Sequence, residues 1–357
     1  MSEKRILFTG GGSAGHVIVN LAIIPMFQRE GWTIDYIGSK NGIERELIGQ
    51  LKNVDYHPIS TGKLRRYFSK ENFKDPFKVL NGTRQAHKII GKKKPSVIFS
   101  KGGFVSVPVL AAAWMRKVPA VIHESDYTPG LANKLAIPFA KKVLATFPET
   151  MQHLPEKKAE WIGAVVRNEL FRGSKKKGLE IANLKGEKPV LLIMGGSGGA
   201  QKINQSVRDQ LDPLLKEFEI IHICGKGNVD PSVKADGYAQ FDYVTEELRD
   251  FFAATDFVLS RAGSNAIFEF LALKKPMLLI PLSRNASRGD QILNAKSFRK
   301  QGYANVLEEE VLTGDRLLKE LKQLKTDKND ILKNMKNYES HQAKEKVVNI
   351  IKQAQKK

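Results

Sequence analysis

The sequence has one cysteine, Cys224, among 357 residues, so no disulfide can form within the chain. That is typical of a protein from a reducing compartment. It also lacks any apolar run of the roughly 18 residues that a membrane-spanning helix needs. The chain passes from Met1-Ser2-Glu3-Lys4-Arg5 directly into an apolar strand pattern, without the apolar run and cleavage site of a signal peptide. We therefore expect the protein in the cytoplasm.

Several catalytic motifs are missing as well. No Asp-X-Asp pair is present that would hold a metal ion on a diphosphate, and no His/Cys spacing indicates zinc. The P-loop pattern is absent, which argues against an ATPase or kinase of that class. We therefore expect neither a metal nor a cofactor.

Acidic residues are few compared with basic ones. The chain has 58 Lys and Arg against 38 Asp and Glu, a formal net charge of +20. Such a charge attracts nucleic acid, anionic lipid headgroups or phosphorylated substrates, or it serves solubility alone. A non-catalytic RNA-binding protein is one alternative, but no recognised RNA motif is present and it leaves two glycine-rich loops unexplained.

The hydrophobic pattern predicts two copies of one α/β domain. The first half has predicted strands at Arg5–Thr9, Thr33–Ile37, Val97–Ser100 and Ala120–His123, with helices at Asn20–Arg29 and Val107–Lys117. The same alternation restarts near residue 188, with strands at Pro189–Met194, Ile220–Cys224, Phe257–Ser260 and Met277–Ile280, and helices at Ala200–Lys216 and Asn265–Leu273. Strands that alternate with helices indicate a parallel sheet covered by helices on both faces.

The domain boundary is predicted in a stretch rich in Lys and Gly at Gly173–Lys188, or slightly earlier, near Gly163. We place it at Gly163. This gives domains at 1–163 and 164–336. A polar helix with few core-forming residues is expected at about 337–357, packed back on the first domain.

The first predicted strand opens into a loop that formally matches G-x-G-x-x-G at Gly10, Gly12 and Gly15. A dinucleotide site would also need an acidic residue at the tip of the second strand, but Asp35 lies inside that strand. The glycines could instead serve only a tight turn. His16 follows the loop, where free amides and the helix dipole favour a neutral imidazole that can accept a proton.

The second half has the stronger indication of an anion site. Gly195–Ala200 lets a phosphate approach the backbone before a helix N-terminus, and Ser197 adds a hydroxyl. Glu269 could accept two ribose hydroxyls. Asp290 and Gln291 could bind sugar hydroxyls, although Asp290 could equally be a helix cap. These loops all follow the carboxyl ends of predicted strands, the edge where ligands bind in open parallel sheets.

Taken together, these motifs resemble the MurG family of bacterial N-acetylglucosaminyltransferases, which complete the lipid-linked disaccharide-pentapeptide precursor of peptidoglycan. The resemblance runs nearly end to end. It rests on Gly11–His16, Gly102–Ser106, His123–Asp126, Asn133-Lys134, Gly195–Ala200, Arg261–Gly263, Gln291 and Asn294-Ala295.

The resemblance implies a GT-B fold, with two facing Rossmann-like, doubly wound domains and a cleft between them. It implies inverting transfer of N-acetylglucosamine from UDP-N-acetylglucosamine to the C4 hydroxyl of the N-acetylmuramoyl group of lipid I, which gives lipid II. The nearest alternative is another GT-B lipid glycosyltransferase, such as one acting on diacylglycerol.

The family pattern also implies residue roles. His16 is the first choice for the catalytic base and Glu124 the second. The implied donor-binding residues are Ser13, Gly15, Arg167, Ser197, Glu269 and Gln291, and the acceptor-side residues are Phe104, Asp126 and Asn133. Three positions depart from the family: Asp126 stands where Asn is frequent, Asp290 where Gln is frequent and Phe104 where Tyr is common.

A lipid-linked acceptor implies contact with a membrane. Aromatic and basic residues are interleaved at Leu64–Leu80, as in interfacial segments, although the aromatics could belong to a core. The predicted patch consists of Phe68, Phe73, Phe77, Leu80 and Trp114. We expect a peripheral protein on the cytoplasmic face of the bacterial cell membrane. The expected partners are UDP-N-acetylglucosamine, lipid I, the anionic membrane surface and other cell-wall synthesis proteins, but no nucleic acid.

Overall fold

The structure, a computed structural model, describes residues 4–62, 75–196, 198–284, 287–338 and 342–356. Contacts divide the chain into two compact units. The first comprises Met1–Val166 with Ser340–Lys357, and the second Arg167–Glu339. Phe68, Phe73 and Ser197, three of the predicted site residues, lie outside the described residues.

The first unit is built on a parallel sheet. Its strands, within the described ranges, are β1 (Arg5–Thr9), β2 (Thr33–Ser39), β3 (Val54–Ile59), β4 (Val97–Ser100), β5 (Ala120–Glu124), β6 (Lys142–Ala145) and β7 (Ala159–Trp161). They are arranged in the order β3-β2-β1-β4-β5-β6-β7. The order reverses between β1 and β4, which makes the crevice at their carboxyl ends the expected ligand site of a doubly wound sheet.

Helices cover both faces of this sheet, and the alternation along β1 shows why. Ile6 and Phe8 face one hydrophobic cluster, whereas Leu7 faces another, so the strand is apolar throughout, as a parallel strand buried on both sides must be. The first five helices are α1 (Ile18–Arg29), α2 (Ile43–Gly49), α3 (Asp75–Lys93), α4 (Ser106–Met115) and α5 (Leu131–Ala136).

The second unit repeats this topology. Its strands, again among the described residues, are β8 (Val190–Met194), β9 (Glu219–Ile223), β10 (Tyr238–Phe241), β11 (Phe257–Ser260), β12 (Met277–Leu279) and β13 (Ala304–Val306), in the order β10-β9-β8-β11-β12-β13. Its helices are α6 (Lys175–Ala182), α7 (Gln201–Asp209), α8 (Leu211–Glu217), α9 (Leu248–Ala254), α10 (Ser264–Ala272), α11 (Asp290–Lys300) and α12 (Gly314–Met335). The corresponding switch point lies between β8 and β11.

The last helix, α13 (Ala343–Gln353), belongs to the first unit. It packs with α1 in the cluster that contains Ile6 and Phe8. The expectation that this segment has few core-forming residues is wrong, because α13 buries Val347, Val348, Ile350 and Ile351. Its apolar residues recur on one face, so the average polarity of the segment conceals them.

Most predicted elements are confirmed, including β1, β4 and β11 with the predicted bounds. The single helix predicted at Ala200–Lys216 is wrong. It is divided into α7 and α8, and Pro213 lies in the first turn of α8. Proline has no N–H for the i−4 carbonyl and its ring clashes with that group, so it can begin a helix but not continue one.

None of the helices in the described residues combines the length and apolar character required to cross a bilayer.

Removal of buried volume from α13 tests its role in the first unit. Ile351 is fully buried, and Ile351→Ala should lower the free energy of unfolding by about 2–5 kcal/mol because it leaves a cavity. The chain has three tryptophans, Trp32, Trp114 and Trp161, all in the first unit. Tryptophan fluorescence in a urea titration therefore reports on that unit alone. Ile181→Ala, at an exposed position in the second unit, is the control, and an equal response of the two variants would contradict the packing.

Candidate active site

The loop after β1 holds the residue predicted as the base. Gly12 has a φ of 86°, and a Cβ there would lie 2.3 Å from the Phe104 ring, so only glycine fits. A short 3-10 helix, Ala14–His16, follows. Ser13 Oγ lies 2.9 Å from Nδ1 of His16. The hydroxyl therefore orients the imidazole, and the predicted residues Ser13, Gly15, His16 and Phe104 lie together.

A second glycine loop, after β4, contacts the first. A Cβ on Gly103 would lie 2.1 Å from the carbonyl oxygen of Gly11 and 3.1 Å from Nδ1 of His16. The amide of Gly11 lies 3.4 Å from the carbonyl oxygen of Gly102. The two loops thus meet beside the imidazole at the switch point between β1 and β4.

Glu124 ends β5 and organises the loop that follows it. Its carboxylate accepts hydrogen bonds from the amide of Asp126 (2.9 Å), the amide of Gly130 (2.9 Å) and Nδ2 of Asn133 (2.8 Å). Glu124 and Asn133 are buried and Asp126 is half-buried. The three predicted residues are therefore brought together, but three donors engage the carboxylate of Glu124.

Sequence reasoning missed Glu44, which lies under the first glycine loop. Its side chain is fully buried and accepts hydrogen bonds from the amide of Gly12 at 3.1 Å and the amide of Ser39 at 2.9 Å. A Cβ on Gly11 would lie 2.4 Å from its carboxyl carbon. Glu44 thus joins the first glycine loop to the end of β2. The sequence gives only a weak signal, an acidic residue in the first turn of α2.

In the second unit, Arg167 and Glu269 form an ion pair with two hydrogen bonds. Nε and Nη2 of Arg167 donate to the two carboxylate oxygens at 2.8 and 3.0 Å. Burial opposes the charged form of Arg167, but the charge and hydrogen bonds of Glu269 outweigh it and raise the pKa of the guanidinium. The two hydrogen bonds therefore hold both predicted donor-binding residues in a fixed orientation.

Gln291 and Asp290 lie where a loop enters α11. Oε1 of Gln291 accepts a hydrogen bond from the amide of Leu282 at 3.0 Å. Asp290 lies 3.6 Å from Nε of Arg288, and Gly289, with a φ of 81°, takes the cap position. Asp290 is therefore not the N-cap residue of α11.

The same loop is tied to the sheet by a second buried ion pair. Arg261, directly after β11, pairs with Glu309, and the other oxygen of Glu309 accepts a hydrogen bond from the amide of Ser283 at 3.1 Å. Burial disfavours the ionised form of Glu309, but Arg261 and the amide of Ser283 outweigh that effect and lower the pKa of the carboxyl. Glu309 is a further residue that sequence reasoning missed.

The described residues of the predicted membrane patch fall at two places. Phe77 and Leu80 lie in the first turns of α3 and are 75% and 69% exposed, so the alternative that these side chains belong to a core is wrong. Gly82 of α3 lies against Pro108, whereas Gly91 lies against Arg116. The helices α3 and α4 therefore run side by side in the same direction. Trp114, which is 62% exposed, lies at the opposite end from Phe77 and Leu80.

Within the described ranges, one group of possible metal ligands lies close together: Asp35, Asp55 and His57. Nζ of Lys93 lies 3.2 Å from Asp35 and 2.7 Å from Asp55, and Arg5 pairs with Asp35 at 2.8 Å. The chain's own cations thus occupy the group, which acts as a salt-bridge network between neighbouring strands.

Comparison with known proteins identifies the family. The model of the glycosyltransferase family 28 N-terminal domain matches residues 6–145, and that of the glycosyltransferase family 28 C-terminal domain matches residues 190–354. The chain belongs to glycosyltransferase family 28. The second match extends into α13, so in sequence the last helix belongs to the C-terminal family domain although it packs in the first unit.

Family 28 relatives match this chain over almost its whole length. A protein of Oceanobacillus iheyensis is 66% identical over 350 residues, which cover 98% of each chain. It is named UDP-N-acetylglucosamine--N-acetylmuramyl-(pentapeptide) pyrophosphoryl-undecaprenol N-acetylglucosamine transferase. A Clostridium novyi protein of the same name is 53% identical and covers 100% of both chains.

Solved structures agree on the fold. The crystal structure of Acinetobacter baumannii MurG has a TM-score of 0.75 at 23% identity and covers 98% of this chain and 99% of that one. A UDP-GlcNAc 2-epimerase from Neisseria meningitidis has a TM-score of 0.68 at 12% identity, covering 98% of this chain and 100% of that one. With two family 28 domains, each on a parallel doubly wound sheet, the predicted GT-B fold class is confirmed.

Glu44 offers a test of how the first glycine loop is held. Glu44→Gln keeps the shape of the side chain but places an N–H₂ group where the carboxylate accepted backbone donors. It should therefore lower the free energy of unfolding by about 1–3 kcal/mol, as measured by urea titration. Glu46→Gln, two residues along the same helix and exposed, should change it by less than about 0.5 kcal/mol. Indistinguishable midpoints would show that Glu44 does not anchor the loop.

Proposed function

We propose that this protein transfers N-acetylglucosamine from UDP-N-acetylglucosamine to the C4 hydroxyl of the N-acetylmuramoyl group of undecaprenyl-diphospho-N-acetylmuramoyl-pentapeptide. The product is the lipid-linked disaccharide used for peptidoglycan. The observation that carries the proposal is the 66% identity, over 98% of each chain, to a relative named for this transfer. The alternatives of a different GT-B lipid glycosyltransferase or an RNA-binding protein have no comparable support.

The second unit is proposed to bind the donor. Glu269 offers one lone pair of each oxygen to Arg167, which leaves the remaining lone pairs for two ribose hydroxyls. Gly196 and Gly199 have positive φ values of 89° and 76° in the loop before α7. Loop amides and a helix N-terminus suit a diphosphate, and Ser197 and Gln291 are proposed to add polar contacts to the donor.

The leaving group determines what the second unit must stabilise. As the bond between the anomeric carbon and the diphosphate oxygen breaks, negative charge develops on UDP. Fixed donors such as the loop amides before α7 and the guanidinium of Arg167 lower the energy of that charge. Because Glu269 holds Arg167 in place, little reorganisation is needed during the reaction.

The first unit is proposed to bind the acceptor and to supply the base. The acceptor oxygen attacks the anomeric carbon from the face opposite UDP, so the configuration inverts, and its proton moves to a base. We assign that base to His16 because it lies at the junction of the two glycine loops with Ser13 at 2.9 Å. Ser13 and Gly15 are proposed as further donor-binding residues.

Glu124 is the weaker choice for the base. Three hydrogen-bond donors already engage its carboxylate, so fewer of its lone pairs are left to meet a substrate hydroxyl. Its proposed role is to shape the loop that presents Asp126 and Asn133 to the acceptor, with Phe104 packed over the first glycine loop.

Replacement of His16 tests the assignment of the base. His16→Gln should lower kcat by about 10²–10⁴-fold, the usual contribution of general base catalysis, while the Kd for UDP-N-acetylglucosamine changes less than about twofold because ground-state donor binding is retained. The assay uses labelled donor and a short-chain lipid I analogue. His153→Gln, at an exposed histidine in the same unit, should leave turnover unchanged. Near-normal turnover by His16→Gln would remove His16 as the base.

The acceptor's polyprenyl chain requires contact with a bilayer, and we propose that α3 makes it. Phe77 and Leu80 extend from the helix, and Lys78, Arg84 and Lys88 are exposed on the same helix. Apolar side chains that enter the headgroup region, together with cations that meet anionic lipid, are characteristic of interfacial helices. This supports a peripheral location on the cytoplasmic face of the bacterial cell membrane.

Vesicle binding tests the proposed contact. The double variant Phe77→Ser and Leu80→Ser should lose about tenfold or more in affinity for anionic vesicles because two exposed apolar side chains can no longer enter the interface. Binding is measured by co-sedimentation with vesicles of neutral and of anionic composition. Added salt should weaken the binding of the wild type to anionic vesicles. Ile181→Ser, at an exposed position of the second unit, is the control. Unchanged binding of the double variant would rule out α3 as the contact.

A further inference from the structure

Lys101 is a buried lysine that joins three loops of the first unit. It directly follows β4, it is 1% exposed, and its backbone amide donates to the carbonyl oxygen of Thr9 at 3.0 Å. Its Nζ donates to Oγ of Ser125 at 2.7 Å. A Cβ on Gly10 would lie 3.2 Å from the Cβ of Lys101, so the side chain begins beside the first glycine loop and ends at the loop after β5.

Full burial of a lysine is rare unless a partner offsets the cost of desolvation. No carboxylate in the described part of the chain lies within 4 Å of the ammonium, although the charges of Glu124 and Asp126 attract it from a longer distance. Burial lowers the pKa of Lys101 in spite of that attraction. A neutral residue would fill this position at a lower desolvation cost, so packing alone does not account for a lysine here.

The charged groups around Lys101 suggest a reason for the lysine. The neighbouring loop carries two carboxylates, Glu124 and Asp126, and the acceptor proposed above carries an anionic diphosphate. Like charges repel strongly where water is scarce. The nearby His123 cannot supply the compensating charge, because burial, reinforced by Lys101, lowers the pKa of its imidazole well below the usual range. Lys101 is thus a buried basic side chain placed to offset the negative charge of this loop.

We propose that Lys101 is a positioning residue for the acceptor, which acts by holding Ser125 and by offsetting the negative charge of the loop after β5. The inference rests on the proposed function, since it assumes an anionic lipid-linked acceptor at this loop. Lys101 acts through the loop and does not touch the substrate. Replacement of Lys101 should not alter binding of the donor, because the second unit is proposed to bind it.

The test separates the two substrates kinetically. Lys101→Met keeps the length of the side chain but removes the charge and the hydrogen bond to Ser125. The KM for the lipid I analogue should rise about tenfold, as expected when a hydrogen bond of a charged group is lost. The KM for UDP-N-acetylglucosamine should stay within about twofold of the wild type. Lys101→Arg, which restores the charge, should recover part of the acceptor KM.

Lys275→Met is the matched control. Lys275 is a half-buried lysine of the second unit whose Nζ donates to the carbonyl oxygen of Thr255 at 2.6 Å, and burial also lowers its pKa. Its replacement should lower Tm without changing the acceptor KM. If Lys101→Met behaves in the same way, with a lower Tm and an unchanged acceptor KM, the lysine is merely structural and the proposal is wrong.

Ser125→Ala keeps the proposal testable even if Lys101→Met does not fold. This small change should by itself raise the acceptor KM and leave the donor KM unchanged. When Lys101→Met does fold, a double-mutant cycle should show that the effect of Ser125→Ala largely disappears in the Lys101→Met background. Additive effects, or an unchanged acceptor KM in Ser125→Ala, would contradict the proposed role. If the wild type itself does not use the muramoyl lipid, the proposed function fails, an outcome distinct from failure of the role of Lys101.

Discussion

Two glycine loops contact each other backbone to backbone at the carboxyl edge of the first sheet. A single added carbon at Gly103 would come within 2.1 Å of the carbonyl oxygen of Gly11, and one at Gly12 would enter the Phe104 ring. Only glycine at both positions allows the loops to approach this closely. His16 is held beside their junction. The rest of the first unit can be understood as a support for this contact, with β1 and β4 as adjacent parallel strands that deliver both loops to the same edge.

Buried glutamates fix the loops around this edge and its counterpart in the second unit. Glu44, Glu124, Glu269 and Glu309 are between 0% and 6% exposed, and each accepts two or more hydrogen bonds from a loop amide, a side-chain amide or a guanidinium. A buried carboxylate loses its hydration, and nearby hydrogen-bond donors must offset that loss. The cost of moving any of these loops is therefore high. This arrangement gives the site preformed donors and acceptors, which is what catalysis without reorganisation requires.

The second unit repeats the topology of the first unit but not its individual residues. Both sheets reverse their order at the strand that opens the unit, and both place a glycine-rich loop at that strand's carboxyl end. The side chains differ: the first loop is followed by a histidine beside a hydroxyl, and the second precedes α7 on the unit that carries the Arg167–Glu269 pair. One fold thus supports the proposed proton acceptor in one unit and the proposed anion site in the other.

The sequence by itself determined the doubly wound sheets, the two-domain organisation, the glycine loops and the family, because apolar periodicity and strand-to-helix turns are local properties that neighbouring residues specify. It did not reveal the role of Glu44, Lys101 or Glu309, whose partners lie between 5 and 48 positions away. The sequence also led us to expect too few core residues in α13, because the average polarity of the segment conceals its single apolar face. Only the tertiary structure decided which charges are buried and which loops they join, because desolvation and hydrogen-bond geometry depend on neighbours that the fold, not the order of residues, brings together.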